Sequence, residues 1–360
     1  MDILDLAIGF VVTLVSTYLL VYPVKKIAIR YRFLDIPNER KIHTKVTPRL
    51  GGLAIALGVT IGLLYFRPSD PYLPSVIMGG LIIIAIGMLD DRLQLRPVVK
   101  LFGQFVATTF VISGGLIIEK VTIPIFGLIE LNSFSVIITM LWIVGITNAI
   151  NLIDGLDGLA SGVVTISLIS ILFMAITDQQ QLVIVLALVL IASNIGFLFH
   201  NFYPAKIYMG DTGSMFLGYS IAIISMMGLF KNVAILSFII PIVVLAVPIF
   251  DTLFAILRRM ANGKGIMKPD KKHIHYQLLS AGFNHRQTVL IIYFFSAVFG
   301  LIAILYTKAS LLLAVILSVI LLLLLQFFAE FVGAVKIEKA HLTKMARETM
   351  KKTKKRNKKD

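Results

Sequence analysis

Asn148, Asn151, Asp154 and Asp157 fall within ten positions of Asn148-Ala-Ile-Asn-Leu-Ile-Asp154-Gly-Leu-Asp157-Gly-Leu-Ala160, punctuated by Gly155 and Gly158. The cluster separates one greasy segment, ending at Ile150, from another that starts near Leu159. A turn between helices uses one or two such residues as caps. Four amide or carboxylate side chains exceed that need, and at membrane depth polar groups are costly enough to mark function.

Other polar stretches add to this set. Asp90-Asp91, in Gly87-Met-Leu-Asp-Asp-Arg92, ends an apolar run with adjacent like charges. A metal or a cationic partner is the usual way to keep both ionised. Lys100 begins the next run just after Pro97, a first-turn proline, which aims a cation and free backbone N–H groups at an anion. A snorkelling lysine is the plainer reading. Gly210-Asp211-Thr-Gly213-Ser214 opens a further run, either as an N-cap or as a close approach of backbone to a ligand. Upstream, Asn201, Pro204, Lys206 and Tyr208 offer an amide and an aromatic face for a base. His273-Ile-His275 lies in a basic loop with Arg258, Arg259, Lys264, Lys268, Lys271 and Lys272. In an extended segment the two imidazoles face the same way, and in a helix they diverge. So many cations beside carboxylates able to hold Mg²⁺ suit a phosphate or pyrophosphate.

These residues need elements to position them, and composition says which. Hydrophobic residues make up 58% of the 360, charged residues 15%, and the mean hydropathy is +0.92. This excludes a water-soluble globule. Apolar runs of spanning length cover roughly 3–24, 49–66, 74–89, 98–117, 134–150, 159–176, 181–199, 213–230, 233–256, 287–306 and 309–331. The predicted fold is therefore all-α and polytopic, with about eleven transmembrane helices. With the N-terminus outside and the C-terminus cytoplasmic, 30 of the 34 Lys and Arg residues fall on the cytoplasmic side. Arg67, Lys120, Lys231 and Lys308 are the others. Every unusual polar stretch then lies on that one face. The spans themselves hold almost no charge, which argues for an interfacial enzyme over a transporter. There is no cysteine, so any metal must sit on oxygen or imidazole ligands.

Asp90-Asp91, Asn148 to Ala160, Asn201-Phe-Tyr-Pro-Ala-Lys-Ile-Tyr-Met-Gly-Asp211-Thr-Gly-Ser and Pro248-Ile-Phe-Asp251-Thr through His275 together resemble the polyprenyl-phosphate N-acetylhexosamine-1-phosphate transferases. The WecA and TagO branch is the nearer match, and Tyr276 stands where that family commonly has a third His. The resemblance spans nearly the whole chain. It implies transfer of GlcNAc-1-phosphate from UDP-GlcNAc to undecaprenyl phosphate, with release of UMP. It also implies Mg²⁺, with Mn²⁺ as the alternative ion, and the first membrane step of cell-surface polysaccharide or teichoic acid synthesis.

By motif position, the resemblance makes Asp211 and Asn151 the metal ligands. Asp157, Asn201 and Tyr208 become the uridine pocket, and Lys45, Asn148, Asp154, Arg258 and Arg259 further substrate contacts. Lys100, His273 and His275 would steady phosphates, while Asp90 and Asp91 orient or deprotonate the lipid phosphate. The alternative within the family is the MraY branch, which transfers phospho-MurNAc-pentapeptide. Residues 1–331 read as a transmembrane catalytic domain with active-site loops at 25–49, 90–100, 148–158, 200–214 and 255–286. Residues 332–360, with eleven basic and three acidic side chains, read as a cytoplasmic tail on anionic lipid. The expected setting is the bacterial cytoplasmic membrane, with a homodimer and no nucleic acid among the expected partners.

Overall fold

A computed structural model describes residues 2–36, 46–123, 127–229, 239–263 and 273–331. The chain forms α1 (Ile3–Arg30), α2 (Gly51–Phe66), α3 (Leu73–Leu93), α4 (Pro97–Ser113), α5 (Ser135–Ile153), α6 (Leu159–Thr177) and α7 (Gln181–Asn201). It continues as α8 (Gly210–Leu229), α9 (Ile239–Val244), α10 (Ala246–Ala261), α11 (Ile274–Ser280), α12 (His285–Tyr306) and α13 (Leu311–Phe331). Among the described residues, six helices are long and apolar enough to cross a membrane: α1, α3, α5, α6, α7 and α12. Shorter apolar helices are α2, α4 and the Leu312–Phe328 part of α13. The protein is thus an all-α, polytopic membrane fold, as its hydropathy predicts.

The bundle is built around α8, which is buried at nearly every described position, Ser220 excepted, and packs against α2, α3, α5 and α6. A helix so nearly enclosed must have small or apolar residues all round. The α8 sequence supplies them everywhere except its first turn, where Asp211 sits. On the outside, α1 buries a stripe of Gly9, Thr13, Thr17, Val21, Val24 and Ala28 against α2 and α7. Thr17 Oγ1 donates to Ser193 Oγ at 3.0 Å, an interhelical bond of the kind worth about 0.6 kcal/mol in membranes. Large apolar side chains left at the surface, such as Leu81, Phe102, Leu141, Phe173 and Leu301, are the ones a bilayer covers.

The expected single span 233–256 is different. Its described part breaks at Leu245 into α9 and α10. Pro248 has no N–H to give the Val244 carbonyl four residues back. Ser167 of α6 donates to that carbonyl instead, at 3.1 Å. The expected span 98–117 also stops short, at Ser113, and leads into a hairpin of β3 (Lys120–Ile123) and β4 (Gly127–Glu130). A second antiparallel pair, β1 (Leu34–Asp35) with β2 (Thr47–Pro48), lies between α1 and α2. This small pair matters because it delivers the chain to Arg49.

Candidate active site

Asp90 and Asp91 occupy the last turn of α3, and each carboxylate is held by a different partner set. Asp91 accepts from the backbone N–H of Asp211 at 2.8 Å and of Thr212 at 3.0 Å, and from the Thr212 hydroxyl at 2.5 Å. A carboxylate at unsatisfied helix N-terminal N–H groups is well placed by charge and by hydrogen bonding. The close approach foreseen for the Gly210 backbone is therefore to Asp91 itself. Gly210 has φ +73, and a Cβ there would sit 2.4 Å from Asp91 Oδ2. Asp90 accepts from the Leu95 N–H at 2.7 Å and from Lys100 Nζ at 3.1 Å.

Two cations then converge on Asp211. Lys100, one turn into α4, lies 2.7 Å from Asp211 Oδ2. Arg49 reaches Asp91 Oδ1 with Nε at 2.9 Å, and its Nη2 donates to Asp211 Oδ1. Arg49 is brought there by pairing of backbone: Tyr208 N–H donates to the Pro48 carbonyl at 2.8 Å, and Gly51 N–H to the Tyr208 carbonyl at 2.9 Å. The neighbouring carboxylates push the Arg49 guanidinium further above its usual range, so it is charged at any working pH.

The Asn and Asp cluster closes over this centre from α5. Asn151 donates to Ser214 Oγ at 2.8 Å, which ties the end of α5 to the first turn of α8. Asn148, one turn earlier on the same face, donates to Gln104 Oε1 of α4 at 2.6 Å. Asp154 follows α5 directly. Burial pushes its carboxyl up to about 7, opposed by Arg49 and reinforced by Asp211 and Asp91. Asp157 accepts from Ala205 N–H at 2.9 Å. Asn201 accepts from Gly158 N–H at 3.0 Å and donates to the Ile207 carbonyl at 3.0 Å. The predicted uridine residues are thus knitted into one pair of loops. The half-buried Tyr208 remains a neutral phenol, its hydroxyl pushed up to about 12 mainly by burial, with a bond to Thr47.

A second centre forms where α10 meets α11. Asp251 of α10 is buried, with Oδ2 at 2.8 Å from His273 Nδ1 and Oδ1 accepting from Ile274 N–H at 2.9 Å. His273 has extended backbone before α11 and His275 is inside the helix, yet their rings lie parallel, 6.0 Å apart. Extended geometry at the first residue is what keeps the two imidazoles on one side. His275 lies against Gly155 so closely that a Cβ there would be 2.2 Å from Nε2. This contact joins α11 to the Asn148–Asp157 cluster. Neither His275 ring nitrogen has a partner among the described residues, and burial lowers its pKa to about 4.

The donor set around Asp211 fits a divalent cation by its charge. Asp90, Asp91, Asp154 and Asp211 face two cations, Arg49 and Lys100, so full ionisation leaves two negative charges uncompensated. Among the described residues no three His, Asp or Glu side chains form a ready-made metal cage. Asp90 and Asp211 share a side-chain hydrogen bond, and Arg49 and Lys100 already engage the Asp211 oxygens, so a hard cation here also needs oxygen from phosphate and water.

Arg258 and Arg259 end α10, about two turns after Asp251. Lys45, the 264–272 segment and the tail lie outside the described residues. Arg49, Gln104 and Asp251 have roles in the structure that their local sequence does not assign. Arg49 stands in a strongly basic segment and reads there as topology charge. Asp251 had a usable signal, as an acid in an apolar helix.

Residues 73–229 match the family model described as glycosyl transferase family 4. The chain is 45% identical to a probable undecaprenyl-phosphate N-acetylglucosaminyl 1-phosphate transferase of Bacillus subtilis (strain 168), over 92% of this chain and 93% of that protein. It is 35% identical to a decaprenyl-phosphate N-acetylglucosaminephosphotransferase of Mycobacterium tuberculosis (strain ATCC 25618 / H37Rv), covering 80% and 79%. A third relative is an undecaprenyl-phosphate alpha-N-acetylglucosaminyl 1-phosphate transferase of Escherichia coli (strain K12), at 26% identity over 85% of each chain. All three names describe a transferase, not a transporter.

Proposed function

Because the chain belongs to glycosyl transferase family 4 and is a membrane glycosyl-1-phosphate transferase, we propose that it moves GlcNAc-1-phosphate from UDP-GlcNAc to undecaprenyl phosphate and releases UMP. The observation that carries this reading is the convergence of Arg49 and Lys100 on Asp211 at the helix ends. Two cations among carboxylates, opening on loops that offer Tyr208 and the Asp157–Asn201 pair, suit a nucleoside diphosphate. The names of the relatives support GlcNAc as the sugar and a polyprenyl phosphate as the acceptor. The distribution of Lys and Arg supports a cytoplasmic position for the site, in the bacterial cytoplasmic membrane.

In this reaction an oxygen of the lipid phosphate attacks the β-phosphorus, the new P–O bond forms, and the bond to UMP breaks. A phosphate monoester has its second pKa near 6, so the nucleophile is mostly dianionic at pH 7. No strong base is needed, and catalysis rests on position and charge neutralisation. Lys100 and Arg49 supply positive charge beside the phosphates. Asp91, with its oxygens taken by Arg49 and the first turn of α8, fixes where Asp211 points. Asp90 keeps Lys100 aimed at the same place. Asp211 and Asn151 would hold Mg²⁺, or Mn²⁺ as the alternative, which when bound neutralises charge on the diphosphate oxygens. Tyr208 offers a ring face to the base, while Asp157 and Asn201 hold the loop around it.

Purified protein with Mg²⁺, undecaprenyl phosphate and a panel of radiolabelled UDP-sugars tests the reading. Label should pass to lipid from UDP-GlcNAc, with UMP appearing in equal amount. Transfer from UDP-MurNAc-pentapeptide alone would move the protein to the MraY branch.

A further inference from the structure

Asp251 and His273 are side chains only 4% and 6% exposed, on two elements joined by a long basic loop. An acid inside an apolar helix is expensive unless it is paired, and this one is paired twice. One oxygen takes the Ile274 N–H at 2.9 Å and the other faces His273 Nδ1 at 2.8 Å. An ionised carboxylate can only accept, so the proton of this bond must sit on Nδ1. Nε2 then remains as the working atom of the ring. The parallel ring of His275, 6.0 Å away and pressed on Gly155, places the pair at the loop that follows Asn151.

We propose that Asp251 is a positioning residue which holds His273 protonated at Nδ1 and presents its Nε2 to a phosphate oxygen of the bound sugar nucleotide. The assignment of the ligand rests on the transferase reading above; the proton position does not. Asp251→Asn separates this role from simple support of α11. The amide keeps the shape, and its oxygen can still accept from Ile274 N–H. Its NH₂ group would then face Nδ1, force that nitrogen to accept, and leave a neutral ring with its proton on Nε2.

The test uses the full-length protein in lipid nanodiscs, as wild type, Asp251→Asn, Asp251→Glu, His273→Ala and the Asp251→Asn/His273→Ala double variant. Nitrogen-15 spectra of histidine-labelled protein, assigned with His273→Ala, read the proton directly. Wild type should show His273 protonated at Nδ1, and Asp251→Asn should shift the proton to Nε2. Transfer from UDP-GlcNAc should fall at least tenfold in Asp251→Asn while UMP affinity stays within about twofold, and Asp251→Glu should restore part of the loss. The double variant should be no slower than His273→Ala alone, because residues acting through one another are non-additive. A wild-type His273 protonated only at Nε2, normal turnover in Asp251→Asn, or multiplying losses in the double variant would each overturn the proposal. If no sugar nucleotide is turned over by wild type, the substrate reading falls while the spectra still decide the proton position. Should Asp251→Asn fail to fold, the wild-type spectrum decides it alone.

Discussion

Arg49 Nε lies 2.9 Å from Asp91 Oδ1, and the same guanidinium reaches Asp211. One side chain thereby fastens the β2–α2 connection to the ends of α3 and α8. The Asp91 side chain is fully buried and that of Arg49 is 27% exposed, so water compensates the acid poorly if the base is removed.

Arg49→Ala should accordingly cost stability as well as activity. Breaking a buried ion pair by removing one partner typically costs about 3 kcal/mol or more. Arg49→Lys should restore only part of this, because an ammonium cannot span two carboxylates with a planar fork. Thermal unfolding in detergent measures the difference. An unchanged midpoint in Arg49→Ala would show that the contact carries no structural weight.

Asp211→Ala should abolish turnover in a protein that still folds, and Asn151→Ala should raise the Mg²⁺ concentration needed for half-maximal rate. Chelation by EDTA should stop wild-type transfer, and added Mg²⁺ should restore it. Near-normal activity with an unaltered Mg²⁺ response in Asp211→Ala would put the ligand elsewhere.

Much of this arrangement is legible in the sequence, for identifiable reasons. A bilayer demands long apolar runs, so hydropathy alone locates the helices that hold the site. Polar residues at membrane depth are rare, so Asn148 to Asp157 and Asp211 stand out. Partnership is harder to read. Asp251 and His273 are 22 residues apart on separate elements, and nothing local announces that they meet. Arg49 is hidden among other cations, whose number follows from topology. The break at Leu245 depends on Pro248 and on Ser167 of another helix, a tertiary match that no single segment records.

His275 gives the fold an acid sensitivity. Its folded pKa of about 4 lies below the ordinary value of 6.5, because burial penalises the charged ring. The unfolded chain therefore binds more protons between those values. The stability associated with the neutral ring is present above pH 6.5 and is lost as pH falls toward 4, by about 3 kcal/mol over the whole window. Denaturation at pH 7.5 and 5 should show a smaller loss in His275→Asn than in wild type. Equal losses in both proteins would assign the acid sensitivity to other groups.

The tail should be dispensable for chemistry. Its net charge of +8 follows directly on α13 and suits anionic lipid, at about 1 kcal/mol per cation near the surface. Truncation after Glu338 should leave turnover in detergent nearly intact and weaken retention on anionic vesicles. A tenfold drop in rate, about 1.4 kcal/mol of barrier, would give the tail a part in catalysis.

Uridine and the sugar should be recognised by different elements. Asp157 holds Ala205 N–H, and Asn201 bridges Gly158 N–H to the Ile207 carbonyl, so the two loops beside Tyr208 move as one unit. Arg258 and Arg259 belong to α10, which carries Asp251 and leads into the basic loop before His273. Two arginines at that end of α10 suit the pyrophosphate of UDP-GlcNAc and the sugar beside it. The two groups should therefore fail in different ways. Asp157→Ala frees the Ala205 N–H, loosens the pocket, and should weaken UMP and UDP-GlcNAc alike, since both carry uridine. Arg258→Ala or Arg259→Ala should lower UDP-GlcNAc turnover at least tenfold while UMP binds within about twofold of wild type, because UMP lacks the sugar and the second phosphate. Calorimetric titration of UMP beside steady-state rates separates the two cases. If UMP affinity fell equally in both classes, the arginines would belong to the nucleotide pocket, and the basis for assigning sugar selection to this end of α10 would be gone.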